Sequence, residues 1–290
     1  MYSHAQLPTP LIISNNKVRV FFATRDKNHH SHIGFVDLLI NGKEVSMEQV
    51  SKKPVLSPGS IGFFDEHGVY PSCIIRDSNR WLMFYVGWNK GAEPPMFYAS
   101  IGVAASNDSK VFQRLSCAPF LSRSPFDPWM VTSPTIFTHS NRCLMAYTSG
   151  LGWIRCEDGS LQSLYHIKLA EKGESLLDWK RNGLIAINLS DNETNIARPT
   201  VTEVKNGVLG MWFSYVSKNI GKYRIGCAES LNGIEWLRND SASGISEIPE
   251  FANEMMCYPS VFQLSGERWL LVNGNGNGKE GFAIAHWSNE

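Results

Sequence analysis

The chain has 290 residues, 43% apolar and 19% charged, which fits a folded globular protein and excludes a disordered or collagen-like one. Its 27 basic residues balance 27 acidic ones, so no basic footprint for nucleic acid or an anionic membrane is expected. No apolar stretch approaches a membrane span, no secretory signal opens the sequence, and six scattered cysteines lack zinc spacing, so a cytoplasmic protein without metal or cofactor is predicted.

In chain order, a proline followed by Ser, Thr or Leu and apolar residues recurs at Pro10, Pro71, Pro134, Pro199 and Pro259, with spacings of 61, 63, 65 and 60 residues. Each opens the same succession. The first unit runs Thr9-Pro10-Leu11-Ile12-Ile13, a polar turn at Asn15-Asn16-Lys17, then Val18-Arg19-Val20-Phe21-Phe22 and Ser31-His32-Ile33-Gly34-Phe35-Val36. The second turns at Asp77-Ser78-Asn79-Arg80 between apolar runs and continues into Ile101-Gly102-Val103-Ala104-Ala105. The third and fourth turn at His139-Ser140-Asn141-Arg142 and Lys205-Asn206-Gly207. The fifth turns at Ser265-Gly266-Glu267 and ends after Gly281-Phe282-Ala283-Ile284-Ala285.

Two apolar runs around a tight polar turn predict a β-hairpin. Three of the units add an aromatic and a basic residue in register after the third run: Phe112 with Arg114, Trp179 with Arg181, and Trp236 with Arg238. Three to four strands per unit of about 60 residues is the size of a propeller blade. The predicted fold is therefore an all-β, five-bladed β-propeller with blades of three to four antiparallel strands, one domain over residues 1–290. The fifth unit is short, so either the N-terminal segment completes it as an outer strand or that blade has three strands.

Antiparallel pairing fixes where a ligand would bind. The residues before the five prolines and those after each second strand converge on one mouth of the ring. The first set includes Tyr70, Arg198 and Tyr258; the second includes Arg25, Asp26, Trp88, Asn89, Tyr215, Asn273 and Asn275. Arginines, aromatics and amides around one funnel suit a polyol or an anionic sugar. Asn273-Gly274-Asn275-Gly276-Asn277-Gly278-Lys279 looks superficially like a phosphate loop, but a strand rather than a helix follows it, so a wide hairpin turn is predicted. His29, His30 and His32 lack carboxylates at metal-supporting spacing, and no metal site is expected there.

With Gly62-Phe63-Phe64-Asp65-Glu66-His67-Gly68-Val69 ahead of the second unit, these hairpins resemble the five-bladed arabinanase, invertase and levansucrase clan. Within it the chain is most similar to a bacterial group of propellers often encoded with surface-polysaccharide genes. That likeness rests on His4-Ala5-Gln6, Thr24-Arg25-Asp26, Gly87-Trp88-Asn89, Tyr165-His166-Ile167-Lys168, Arg198-Pro199-Thr200-Val201 and Tyr258-Pro259-Ser260-Val261-Phe262. It implies a carbohydrate-active protein and adds His4 and His166 to the expected sugar-binding residues.

Clan glycosidases carry carboxylates at the starts of inner strands, and glycoside chemistry needs two of them about the scissile bond. Here the positions before the prolines are Thr9, Tyr70, Ser133, Arg198 and Tyr258, none acidic. The expected catalytic carboxylates are instead loop residues on the same mouth: Asp26 as base or nucleophile, Asp65 as proton donor in apolar surroundings, and Glu254. Three functions follow. The first is hydrolysis, phosphorolysis or transfer at a glycosidic bond, with a small-molecule or oligosaccharide ligand. The second is a non-catalytic sugar or sugar-nucleotide binder, and the third a protein-interaction propeller.

Overall fold

In a computed structural model, which describes residues 3–245 and 248–287, the chain folds almost entirely into strands. β1 (Ser3–Ser14), β2 (Lys17–Arg25), β3 (Ser31–Asn41) and β4 (Glu44–Val50) form the first antiparallel meander. The second comprises β5 (Gly68–Asp77), β6 (Arg80–Lys90), β7 (Phe97–Ser106) and β8 (Gln113–Arg114). β9 (Val131–His139), β10 (Arg142–Arg155), β11 (Leu161–Lys172) and β12 (Trp179–Ile187) form the third. The fourth is β13 (Glu193–Lys205), β14 (Val208–Ser217), β15 (Tyr223–Ser230) and β16 (Leu237–Arg238). The fifth has three strands, β17 (Cys257–Leu264), β18 (Glu267–Asn273) and β19 (Phe282–His286), with a tight turn over Asn275–Gly278, left-handed at Gly276 and Asn277, between the last two.

The first strands meet around a common axis. β1 touches β5, β5 touches β9, β9 touches β13, β13 touches β17, and β17 returns to β1. A ring closed in this way is the propeller that the sequence predicts. β1 belongs to the first blade, so the N-terminal segment does not complete the fifth. Asn273 joins the two ends of the ring instead: its Oδ1 accepts from the Leu7 N–H at 2.9 Å, and its Nδ2 donates to the Ala5 carbonyl at 2.8 Å.

The continuous apolar runs of the second strands arise because both faces of a blade are buried. Val18, Val20 and Phe22 pack against Trp269 and Leu271 of the fifth blade, while Phe21 between them packs toward Met83 and Tyr85 of the second. Leu82 and Phe84 face the third blade in the same alternation. Each such side chain contributes roughly 1.5–3 kcal/mol through burial, so the interfaces between blades are the core.

The repeated prolines do not open the first strands but sit inside them beside β-bulges; in the second blade Pro71 itself pairs opposite Tyr85 and the skipped residue is Ser72. In the third, fourth and fifth blades the ladder skips Ser133-Pro134, Arg198-Pro199 and Tyr258-Pro259. In the first it skips Leu7-Pro8, whereas Pro10 pairs opposite Val20 in register. The true repeat in the first blade is therefore Pro8, two residues earlier than the sequence phase at Pro10. The physical reason is that a bulge leaves a residue out of the ladder, where proline's missing N–H costs no hydrogen bond.

Three blades carry the same clasp on a buried carboxylate, which accounts for the basic member of each pair in register, while Phe112, Trp179 and Trp236 pack into the apolar core. Arg114 on β8 pairs with Asp65 at 2.7 Å, and Asp65 also accepts from the Tyr85 hydroxyl at 3.1 Å. Arg181 on β12 pairs with Asp127 at 2.9 Å, which accepts from Tyr147 at 3.1 Å and Ser149 at 2.7 Å. Arg238 on β16 pairs with Glu193 at 2.6 Å and lies 4.8 Å from the centre of the Tyr215 ring. In each case an outer strand is fastened to the segment that enters the blade's first strand.

Candidate functional site

At one mouth of the ring the blades surround a cavity of about 530 Å³. Its walls come from the starts of the first and third strands and the ends of the second strands, which antiparallel pairing brings to one face. Arg25 at the end of β2 donates to the Tyr70 hydroxyl (3.4 Å) and to Gln6 Oε1 (3.2 Å). Tyr70 stacks on Trp88 with ring centres 6.3 Å apart and planes 7° from parallel, and Trp88 Nε1 donates to Ser31 Oγ at 2.9 Å. Opposite, the hydroxyls of Tyr165 and Tyr223 share a hydrogen bond, Tyr223 lies 5.8 Å from Tyr258, and Tyr258 donates to Asn277 at 3.3 Å. Lys90 at the end of β6, with Pro94, Pro95 and Met96 from the connection to β7, adds a third wall.

Burial raises the pKa of all four tyrosines. Tyr165 is pushed up to about 12, and Tyr223 and Tyr258 well above their ordinary value. Tyr70 is also raised by burial, although the Arg25 charge opposes the shift. The cavity therefore presents neutral phenols, an indole face and two cations, Arg25 and Lys90. Among the described residues no Asp or Glu lines it.

Of the residues expected from sequence, the structure brings Arg25, Tyr70, Trp88 and Tyr258 to this cavity. The others lie outside its lining. Asn273 closes the ring as described, and Tyr215 belongs to the fourth-blade clasp. Asn89 donates to the Phe63 carbonyl and to Glu66, both at 2.9 Å. Asn275 accepts from the backbone of Glu254 and Met255, and the turn through Gly276 presents Asn277 to the cavity instead. His4 pairs with Ser3 Oγ at 2.8 Å, and burial, then the charges of Arg25, Lys279 and His29, lower its pKa. His166 is buried, with Nδ1 3.0 Å from Asn188 and its pKa lowered by that burial. Arg198 is buried at the axis, donating to Ser72 and Thr9.

The three carboxylates do not meet across the cavity lining. Asp65, expected as a proton donor, is fully buried in its clasp with Arg114. The apolar Gly62-Phe63-Phe64 context, read from sequence as suiting a proton donor, surrounds an ion pair. Glu254 is exposed, and its carbonyl accepts from Arg224 at 2.7 Å. Asp26 is held below the usual carboxylate range: burial pushes it up, but His32 and the backbone N–H groups of His30 and Asn28 outweigh that. Tyr165, Tyr223, Phe97 and Lys90 are lining residues that the sequence reading omitted. The signal was present, because third strands start on the same mouth as first strands.

No protein-family model matches the chain. An uncharacterized protein of Mycobacterium tuberculosis, found in two strains, is 33% identical over 287 residues, covering 98% of this chain and 92% of the mycobacterial one. The two belong to one family. A β-1,2-mannobiose phosphorylase from a Thermoanaerobacter species is 29% identical over 118 residues, 37% of this chain and 39% of the phosphorylase. Among solved structures, a glycoside hydrolase superposes with a TM-score of 0.74 at 16% identity, covering 100% of this chain and 88% of the other. A thermostable family-43 glycoside hydrolase superposes with 0.69 at 15% identity (99% and 91%). An endo-arabinase from Bacteroides thetaiotaomicron gives 0.67 at 15% identity (100% and 96%). At these identities the likeness is one of fold, and the family has the fold of the propeller glycoside hydrolases. Among the described residues, no helix is long and apolar enough to cross a membrane, and no group of three or more His, Cys, Asp or Glu is placed to hold a metal.

Proposed function

We propose that the funnel binds a saccharide and acts on its glycosidic bond by transfer to or from phosphate. The lining carries this reading: aromatic faces for sugar rings, phenolic donors, two cations, and no carboxylate among the described residues. Hydrolysis by the usual retaining or inverting route needs two carboxyl groups flanking the bond. In phosphorolysis an oxygen of phosphate bonds to the anomeric carbon while the glycosidic oxygen leaves and takes up a proton, so phosphate replaces the carboxylate that attacks or activates water. Arg25 and Lys90 have the charge to hold that phosphate, and the neutral tyrosine hydroxyls supply donors to the departing oxygen. The partial likeness to a mannobiose phosphorylase supports the same class of chemistry. The proposal includes one domain over residues 1–290, a cytoplasmic bacterial setting, an oligosaccharide or smaller sugar as ligand, and a place in surface-polysaccharide metabolism.

The same lack of acids favours a second reading, a sugar or sugar-nucleotide binder without turnover. Incubating the protein with an oligosaccharide panel, with and without inorganic phosphate, separates the two. Phosphate-dependent formation of a sugar 1-phosphate, with a raised phosphate KM in Arg25→Ala and Lys90→Ala, is the expected result. Calorimetric saccharide binding without turnover in either condition selects the binding protein, and phosphate-independent cleavage selects a hydrolase.

A further inference from the structure

With Pro8 as the repeat of the first blade, the residue after the proline is a hydroxyl in every blade: Thr9, Ser72, Thr135, Thr200 and Ser260. All five line a second cavity of about 180 Å³ on the axis, together with Arg198. The Arg198 side chain is 2% exposed. Its Nη1 donates to the Ser72 hydroxyl at 2.8 Å and the Ser72 carbonyl at 3.0 Å, and its Nη2 donates to Thr9 Oγ1 at 2.7 Å. Nε has no hydrogen-bond partner, and no carboxylate forms an ion pair with this guanidinium among the described residues. Burial lowers its pKa to about 10, so the group remains a cation at neutral pH.

The nearest groups able to become negative do not neutralise it. Burial pushes the Cys73 thiol up to about 11 and the Tyr258 phenol well above its ordinary value, so both are neutral. Thr135 and Ser260 make no side-chain hydrogen bond among the described residues, which leaves their hydroxyls available to the cavity they line. A buried cation without a counter-charge is strongly unfavourable, and proteins pair such charges or recruit ions.

We propose that this axial cavity binds a small monovalent anion of the halide class, held by the Arg198 guanidinium and the Thr135 and Ser260 hydroxyls, since those of Thr9, Ser72 and Thr200 already donate to the carbonyls of Leu7, Pro134 and Val261. The donor set is made of N–H and O–H groups, the rest of the wall is apolar (Ile74, Val201, Val261, Phe262), and one positive charge is matched by one negative charge. A dianion would bury a net negative charge in the same walls. The site is separate from the funnel, and its test reads stability rather than turnover, so it stands or falls independently of the function proposed above.

Thermal unfolding of the full chain in sodium chloride and in sodium gluconate at matched ionic strength tests the proposal. A saturable rise in Tm of roughly 2–4 °C with chloride over gluconate is expected. Arg198→Met should abolish it. Because that variant removes a buried anchor of the ring, Ser260→Ala and Thr135→Val serve beside it, and each should raise the half-saturating chloride concentration several-fold. Crystals grown in bromide should show an anomalous peak beside Arg198. Equal Tm in the two salts, a chloride effect unchanged in all three variants, or bromide crystals without that peak would overturn the site. Stabilisation by inorganic phosphate and not by chloride would overturn its monovalent character.

Discussion

On either side of one repeated proline the five blades behave in opposite ways. After the proline the residue is Thr or Ser every time and faces the axis, whereas before it the residue varies: Leu7, Tyr70, Ser133 and Tyr258 line the funnel, and Arg198 turns to the axis. Four of these five, all but Tyr70, hold a left-handed backbone with φ of 53, 50, 56 and 58°. Such non-glycine residues are disfavoured, and a bulge followed by proline is what holds them there. The blades are equivalent toward the axis, so one residue type serves all five. A saccharide has no five-fold symmetry, so a cavity that recognises one needs different side chains from different blades. Repetition therefore marks the positions that face the axis, and departure from it marks the positions suited to an asymmetric ligand in the funnel.

The clasps give the largest test of this contrast. Asp65→Asn and Asp127→Asn should each cost about 3–5 kcal/mol in urea unfolding, because each strips a half-buried arginine of a fully buried counter-charge. Equal losses at the two sites place Asp65 with the repeated framework. An Asp65→Asn chain of unchanged stability that has lost turnover would return Asp65 to the chemistry.

Next in size is the platform on the funnel side. Trp88→Ala should weaken saccharide binding about ten-fold, ~1.4 kcal/mol, when followed by calorimetry, with little change in unfolding midpoint. Undiminished affinity would move the sugar away from the Tyr70 and Trp88 wall. Tyr165→Phe, which leaves the Tyr223 hydroxyl without its partner, should lower stability by about 1 kcal/mol. No change in the urea midpoint would mean that this pair contributes nothing to holding the third and fourth blades together.

The smallest effect concerns protons. Burial depresses the pKa of His166 below its ordinary 6.5, and Nε2 has no hydrogen-bond partner. The unfolded chain therefore takes up this proton first as pH falls. The contribution is intact above pH 6.5 and is lost as pH drops from there through the folded pKa, with a slope of at most about 1.4 kcal/mol per pH unit. His166→Gln should flatten the acid limb of a stability-against-pH curve. An identical limb in the variant would assign the acid sensitivity to other groups, His4 and His67 among them, whose values burial also lowers.

The sequence by itself determined the number of blades, their hairpins and the mouth at which a ligand site forms. Those features follow from turn chemistry, from apolar runs buried on both faces, and from strand direction, all of which recur locally in the chain. It also carried the basic members of the clasps, though not their partners, because Asp65, Asp127 and Glu193 lie 49, 54 and 45 residues from the arginines they meet. Only the tertiary structure decided between Pro8 and Pro10, sent Arg198 down the axis rather than into the funnel, and kept Asp65 out of the lining. The reason is register. In a strand each one-residue step reverses the face a side chain occupies, and a bulge shifts that step by one. Whether a residue beside a repeated proline meets the ligand or the axis is therefore set by how the bulge is seated between neighbouring blades.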